Sequence, residues 1–231
     1  MKTNRGLFVV MFVAGAVLCF LNTAMSKELA ADDATIFLAL FNGTVAAETD
    51  QQPDTTENIS FERGVFGEGL VQHPGMRLIY DVPEEFNPSE GTVEFWIQPQ
   101  WIGQDYYYQQ IFNLAAGGDE VRVQINIPGV LGFFMRNPEN EIGYQETYEW
   151  LETDWHHIAV TWSIPGRQIL YVDGVRVTDN IADEKDLLVP DKLIIGGLFA
   201  SQNAHVILDE FRISNRVRTP SEIAETFLSS D

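Results

Sequence analysis

The feature that most restricts this chain is its rhythm: short segments with apolar residues at every second position, broken by Gly, Pro, Asn and Asp, and no sustained helical period until the end. Side chains alternate between the two faces of a strand, so such segments fold as half-buried β-strands. The clearest span residues 36–41, 76–80, 91–99, 109–114, 121–127, 132–136, 155–162, 168–172, 175–178, 193–195 and 206–213. About ten strands of this length fit two packed antiparallel sheets, so the expected fold class is all-β, a sandwich. Two local signals fix the ends of elements. Asp173-Gly174 supplies the pair of positive-φ residues that a two-residue type I′ turn requires, which predicts a hairpin over 169–177. Thr219, Pro220 and Glu222 form a capping box with proline at the first helical position, which predicts a short closing helix over 220–228. The polar stretch 48–57 reads as a mobile loop.

The N-terminus has a different character. Lys2 and Arg5 precede a nearly unbroken apolar run from Leu7 to Leu21, after which the chain turns polar. The run is shorter than the ~20 residues of a membrane-spanning helix, and Ala24 and Ser26 flank Met25 as a signal peptidase requires, so residues 1–26 read as a signal peptide cleaved after Ser26. Retention as a single-helix anchor and lipidation of Cys19 are the alternatives; bulky Leu18 opposes the second. Residues 27–33 are then an N-terminal extension and 34–231 the domain. The protein is expected to be secreted, periplasmic or at the cell surface, touching a membrane only if the first segment stays. Cys19 is the sole cysteine, so the processed protein has no disulfide. Loss of Lys2 and Arg5 leaves 12 basic against 34 acidic residues, a net charge of −22. Nucleic acid is excluded as a partner, because phosphate backbones are bound through clustered Lys and Arg.

Alternation assigns faces. In 91–99 the apolar row is Val93, Phe95 and Ile97, and the other row is Thr92, Glu94, Trp96 and Gln98. In 121–127 the apolar row is Val121, Val123, Ile125 and Ile127, leaving Arg122, Gln124 and Asn126 outward. Glu94, Trp96, Gln98, Arg122, Gln124 and Asn126 together offer an aromatic ring to stack on a sugar and planar polar groups for its hydroxyls. On this reading Trp96→Ala abolishes sugar binding and leaves the fold intact; the alternative is that Trp96 lies under a covering segment as second-layer core. Three successive tyrosines, 106–108, cannot all face inward from one strand, which adds Tyr107 to the candidate ligand surface.

Five ordered segments, GTVEFWIQP (91–99), WHHIAVTW (155–162), LYVDG (170–174), IIGG (194–197) and LDEFRISN (208–215), resemble the laminin G-like domains of the concanavalin A-like lectin superfamily. FNG (41–43) and RTPSEI (218–223) are similar to that family's ends, so the resemblance covers about residues 34–226. It implies a two-sheet antiparallel jelly roll with a short C-terminal helix, used outside cells to bind glycans or proteins, often with calcium at the sandwich rim. An aspartate at the position of Asp209 often ligates that calcium in such domains, together with an acidic residue in the turn occupied here by Asn42 and Gly43. Asn42 in place of aspartate removes one negative charge. By alternation Asp209 shares a face with Phe211 and Ile213, where an unpaired charge is costly. It is either a calcium ligand, with Asn42, Gly43 and loop carbonyls, or a hydrogen-bonded structural carboxylate.

Catalytic readings fail on spacing. His156 and His157 are adjacent in a strand and point to opposite faces, so they cannot share one ion. Glu152 and Asp154 share a face, as the paired carboxylates of glycoside hydrolases of this superfamily do, but the third carboxylate of that pattern falls on His157. The sequence therefore points to a non-catalytic recognition domain for glycan or protein ligands, with a structural or adhesive surface module as the alternative and a glycoside hydrolase behind it.

Overall fold

A computed structural model describes residues 27–100, 109–116, 119–126, 130–137, 140–147, 154–183 and 189–229. Two antiparallel sheets form a sandwich, closed by one helix. The first sheet contains β1 (Thr35–Ala39), β3 (Phe61–Arg63), β4 (Glu68–Gln72), β6 (Glu90–Pro99), β11 (His156–Ser163), β12 (Gly166–Val172), β13 (Val175–Arg176), β14 (Asn180–Ala182) and β16 (Val206–Ser214). Its central order is β13-β12-β11-β6-β16-β4-β3, with β1 on β16 and β14 on β12. The second sheet runs β10-β9-β8-β7-β15-β5-β2, built from β2 (Thr55–Glu57), β5 (Arg77–Asp81), β7 (Gln109–Ala116), β8 (Asp119–Ile125), β9 (Val130–Asn137), β10 (Asn140–Thr147) and β15 (Lys192–Ile195). The architecture is the all-β sandwich that the alternating rhythm predicts, in the jelly-roll form the resemblance implies.

The inward rows meet as expected. Val93, Phe95 and Ile97 of β6 and Val121, Val123 and Ile125 of β8 belong to one buried cluster, and Phe95, Phe112 and Phe211 pack ring to ring at centroid distances of 5.5 to 5.7 Å across the two sheets. The hairpin turn has Asp173 at φ 51° and Gly174 at φ 73°, as its sequence demands. The helix α1 (Pro220–Leu228) carries the complete capping box, with Thr219 accepting from the Glu222 N–H and Glu222 reaching back to the Thr219 N–H.

Three features differ from expectation. The stretch read as a loop contributes β2, which pairs with β5. Strands β3, β4, β10 and β14 were not anticipated, because short or polar strands lack the apolar alternation that marks a half-buried one. The third difference lies in β16. Leu208 and Phe211 both enter the core, because a bulge at Glu210, with φ 54°, shifts the register between Asp209 and Arg212. Asp209 therefore pairs with outward-facing Trp96 and does not share the face of Phe211 and Ile213.

Candidate functional site

The single ligand face expected from Glu94, Trp96, Gln98, Arg122, Gln124 and Asn126 does not exist as one surface. β6 lies in the first sheet and β8 in the second, and their non-core rows face away from each other across the sandwich. The β6 row is covered. Trp96 is 3% exposed, stacked on Phe227 of α1 at 5.9 Å and tilted against His157 at 5.1 Å. It is second-layer core beneath the helix and is not positioned to touch a sugar. Glu94 is fully buried beside it: Arg212 donates to Glu94 Oε1 from Nε (2.9 Å) and Nη2 (2.7 Å), and Arg218 Nε lies at 3.2 Å. Burial works to raise the Glu94 carboxyl, while His157 and the two guanidinium charges work to lower it; the net places it at about 2. His157 Nε2 stands 3.4 Å from Oε2, while the two arginines close on Oε1. Gln98 is half-buried and accepts from Gln100. His156 turns the other way, to Asp173 at 2.9 Å, as strand geometry required of the adjacent pair.

The β8 row keeps its polar character on the non-core side of the second sheet, but it is covered: Glu120, Arg122 and Gln124 are 3, 7 and 2% exposed, and only Asn126 at its end is half-buried. Arg122 donates to Glu120 from Nη1 (2.6 Å) and to Gln124 from Nε (2.6 Å), Gln124 donates to Asn126, and Arg136 reaches Glu120 at 3.3 Å. The Arg122 guanidinium lies 4.8 Å from the centroid of the Phe134 ring, its cross-strand neighbour on β9. Each side chain is held by the next, so the row is a rigid ladder of donors and acceptors over an aromatic ring. Phe134 escaped the sequence reading, although alternation within β9 marks it as outward. Tyr107 lies outside the described residues.

The rim site brings together residues far apart in the chain. Asp209 accepts from the Phe66 N–H at 3.1 Å and the Glu210 N–H at 2.9 Å. Asn42 accepts from the Glu68 N–H at 2.9 Å and donates to Glu28 at 2.8 Å. Both side chains close on the turn 64–67, whose glycines leave room for them. A Cβ on Gly64 would stand 2.3 Å from Asp209 Oδ2 and 2.6 Å from the Phe66 carbonyl, and a Cβ on Gly67 would stand 2.0 Å from Asn42 Oδ1. Gly43 is fixed at φ 71° beside Glu68, which a Cβ there would meet at 2.7 Å. The bulge adds Glu210, fully buried, which accepts from the Leu29 N–H at 2.5 Å through one oxygen while Oε1 has no hydrogen-bond partner.

Burial pushes the Asp209 carboxyl up to about 7 and that of Glu210 up to about 8, with the negative charge of Glu28 adding to both. Asp209 Oδ2 and the Phe66 carbonyl meet over Gly64, and the buried Glu210 carboxylate, one oxygen of it unpartnered, follows Asp209 in the bulge; oxygens of this kind suit a hard cation. Among the described residues no three His, Cys, Asp or Glu side chains close on one point, so backbone carbonyls and Asn42 have to complete such a site. Glu210 and Glu28 were missed in the sequence. The bulge hides the first from alternation, and no local pattern marks the second.

No characterised protein matches the chain at a significant level by sequence. Solved structures do match in fold: the binding domain of Paraclostridial Mosquitocidal Protein 1 (TM-score 0.71, 16% identity, 84% of this chain and 52% of that one), the binding domain of Botulinum Neurotoxin DC in complex with SialylT (0.70, 15%, 86% and 52%), and that domain in complex with rat synaptotagmin II (0.72, 14%, 86% and 52%). At such identities the likeness shows the fold, and the chain spans about half the length of these structures. A family model, Laminin_G_3 of the concanavalin A-like lectin/glucanases superfamily, matches residues 77–224, from the second sheet into the closing helix. The bulged β16, the Asp173-Gly174 hairpin and the first half of α1 all lie within that match, and the chain is a laminin G-like member of the concanavalin A-like lectin/glucanase superfamily.

Proposed function

We propose that the protein is an exported, non-catalytic recognition domain for glycan or protein ligands, with calcium at its rim. The observation that carries this is the fold, shared with binding domains solved with their ligands; the polar ladder of Glu120, Arg122 and Gln124 is covered, and its half-buried end, Asn126, is the candidate contact. Buried polar groups are costly unless paired, and here they pair with one another on a side of the sheet where the core does not require them. Fixed donors and acceptors beside a ring are the chemistry of carbohydrate recognition. Neurotoxin binding domains of the same fold have been solved with a glycan and with a protein, which supports both ligand classes here. The hydrolase alternative needs a third carboxylate where His157 stands, and His157 is buried against Trp96.

Calcium is assigned to Asp209, Glu210, Asn42 and the carbonyls of the turn 64–67, with Gly43 shaping the neighbouring turn. The bound ion supplies positive charge to the buried carboxylates; the residues themselves orient the turn and exclude water. Export rests on residues 1–26 and predicts Lys27 as the N-terminus of the secreted protein, which mass spectrometry reads directly.

The test of recognition is a glycan and extracellular-protein binding screen of the purified protein in calcium-containing buffer, repeated with Asn126→Ala, the half-buried end of the ladder. Binding lost in the variant supports the ladder; equal binding moves the site elsewhere, and a uniformly negative screen favours a structural surface module. Thermal unfolding with chelator and then millimolar calcium tests the rim, since a ligand of the folded state raises the midpoint. A rise that disappears in Asp209→Asn supports the calcium site; no rise makes Asp209 a structural acceptor.

A further inference from the structure

The N-terminal segment 27–32 crosses the rim as an irregular strap. It is held at separated points by polar contacts: the Lys27 N–H donates to the Ser229 carbonyl (3.0 Å), the Leu29 N–H to Glu210 (2.5 Å), Arg212 to the Ala30 carbonyl (3.5 Å) and Arg218 to both Asp32 oxygens (2.8 and 2.9 Å). Most of its residues are exposed, and none joins the hydrophobic core. Clefts flank it on both sides. One of about 340 Å³ is bounded by Arg212, Arg218 and α1, and one of about 520 Å³ by Phe66 and Gly67. The strap spans the rim and is not packed into it. Elements with few apolar contacts and exposed backbone open at low cost.

Its charge opposes its position. Glu28, exposed and steered by the 2.8 Å bond from Asn42, adds a negative charge at the rim that Asp209 and Glu210 feel without its joining them at one point. Like charges repel, and a cation bound at Asp209 and Glu210 reverses the sign of their interaction with Glu28. We propose that residues 27–32 are a lid that closes over Asp209 and Glu210 when a divalent cation fills the rim and loosens when it leaves. This rests on the calcium reading above. It adds that cation occupancy is transmitted to the N-terminal end of the domain, where any preceding segment or partner would sense it.

Hydrogen exchange of the strap amides, Leu29 above all, measured with chelator and with millimolar calcium beside the unfolding midpoint, tests the lid. The expected result is a raised midpoint together with at least tenfold slower exchange over 27–32 in calcium. In Glu28→Gln, which removes the repelling charge but keeps an acceptor for Asn42, exchange in chelator should already be slow and calcium should change it little. A raised midpoint with unchanged strap exchange overturns the lid and leaves the calcium site standing. Neither change overturns both. Faster exchange in Glu28→Gln overturns the repulsion argument, because Glu28 would then be an anchor.

Discussion

Replacing Trp96 by alanine should destabilise the domain, in contrast to the expectation from sequence that the variant keeps its fold and loses a sugar site. The indole is 3% exposed, between the His157 ring and Phe227 of α1. An aromatic of this size hides ~200 Å², which at ~25 cal/mol per Å² corresponds to ~5 kcal/mol. Buried Trp→Ala truncations cost about 3–5 kcal/mol, against a total of about 5–15 kcal/mol for a typical domain. The melting midpoint should fall on the order of 10 °C for a chain of this size. Urea denaturation of the wild type, Trp96→Ala, Phe227→Ala and the double variant checks this, and the cycle should return a coupling of about 0.5–1.5 kcal/mol for the stacked pair. A loss below about 0.5 kcal/mol in Trp96→Ala, the size of an ordinary surface substitution, would refute the covered-row reasoning.

Arg212→Met should cost about 3–5 kcal/mol in the same assay, because it leaves the buried Glu94 carboxylate with Arg218 as its one remaining guanidinium partner. Glu94 titrates at about 2 in the folded protein, below its ordinary value, so its contribution is complete above the ordinary carboxylate range and fades as pH falls from about 5 toward 2. The stability gap between wild type and Glu94→Gln should therefore narrow over that window by up to ~3 kcal/mol, and a constant gap would contradict the ion cluster. Gly64→Ala drives a methyl to 2.3 Å from Asp209 Oδ2; it should cost about 1–3 kcal/mol and remove any calcium-induced rise in the midpoint. Thr219→Ala removes the α1 cap and should lower stability by about 1 kcal/mol, read by thermal melting.

How much of the site was legible depends on the range of the signal. The ladder residues Arg122, Gln124 and Asn126 were found because period-two alternation is local to one strand. Asp209 was singled out for the wrong reason: alternation counted back from Phe211 placed it inward, and the bulge at Glu210 moved it outward to the rim. A non-glycine residue at φ 54° is disfavoured by its own Cβ, so no local preference in Glu210 announces the bulge.

The sequence by itself determined the class of fold, the inward rows, the Asp173-Gly174 turn and both ends of the closing helix, since each is set by neighbours a few residues apart through alternation, turn sterics and capping. Only the tertiary structure decided that β6 and β8 lie in opposite sheets, that α1 covers Trp96 and Glu94, and that Glu28 comes to the turn 64–67 and to β16. Strand partners and covering elements are chosen by burial of surface between distant segments, and a polar row reads the same in sequence whether solvent, a helix or another row of charges lies above it.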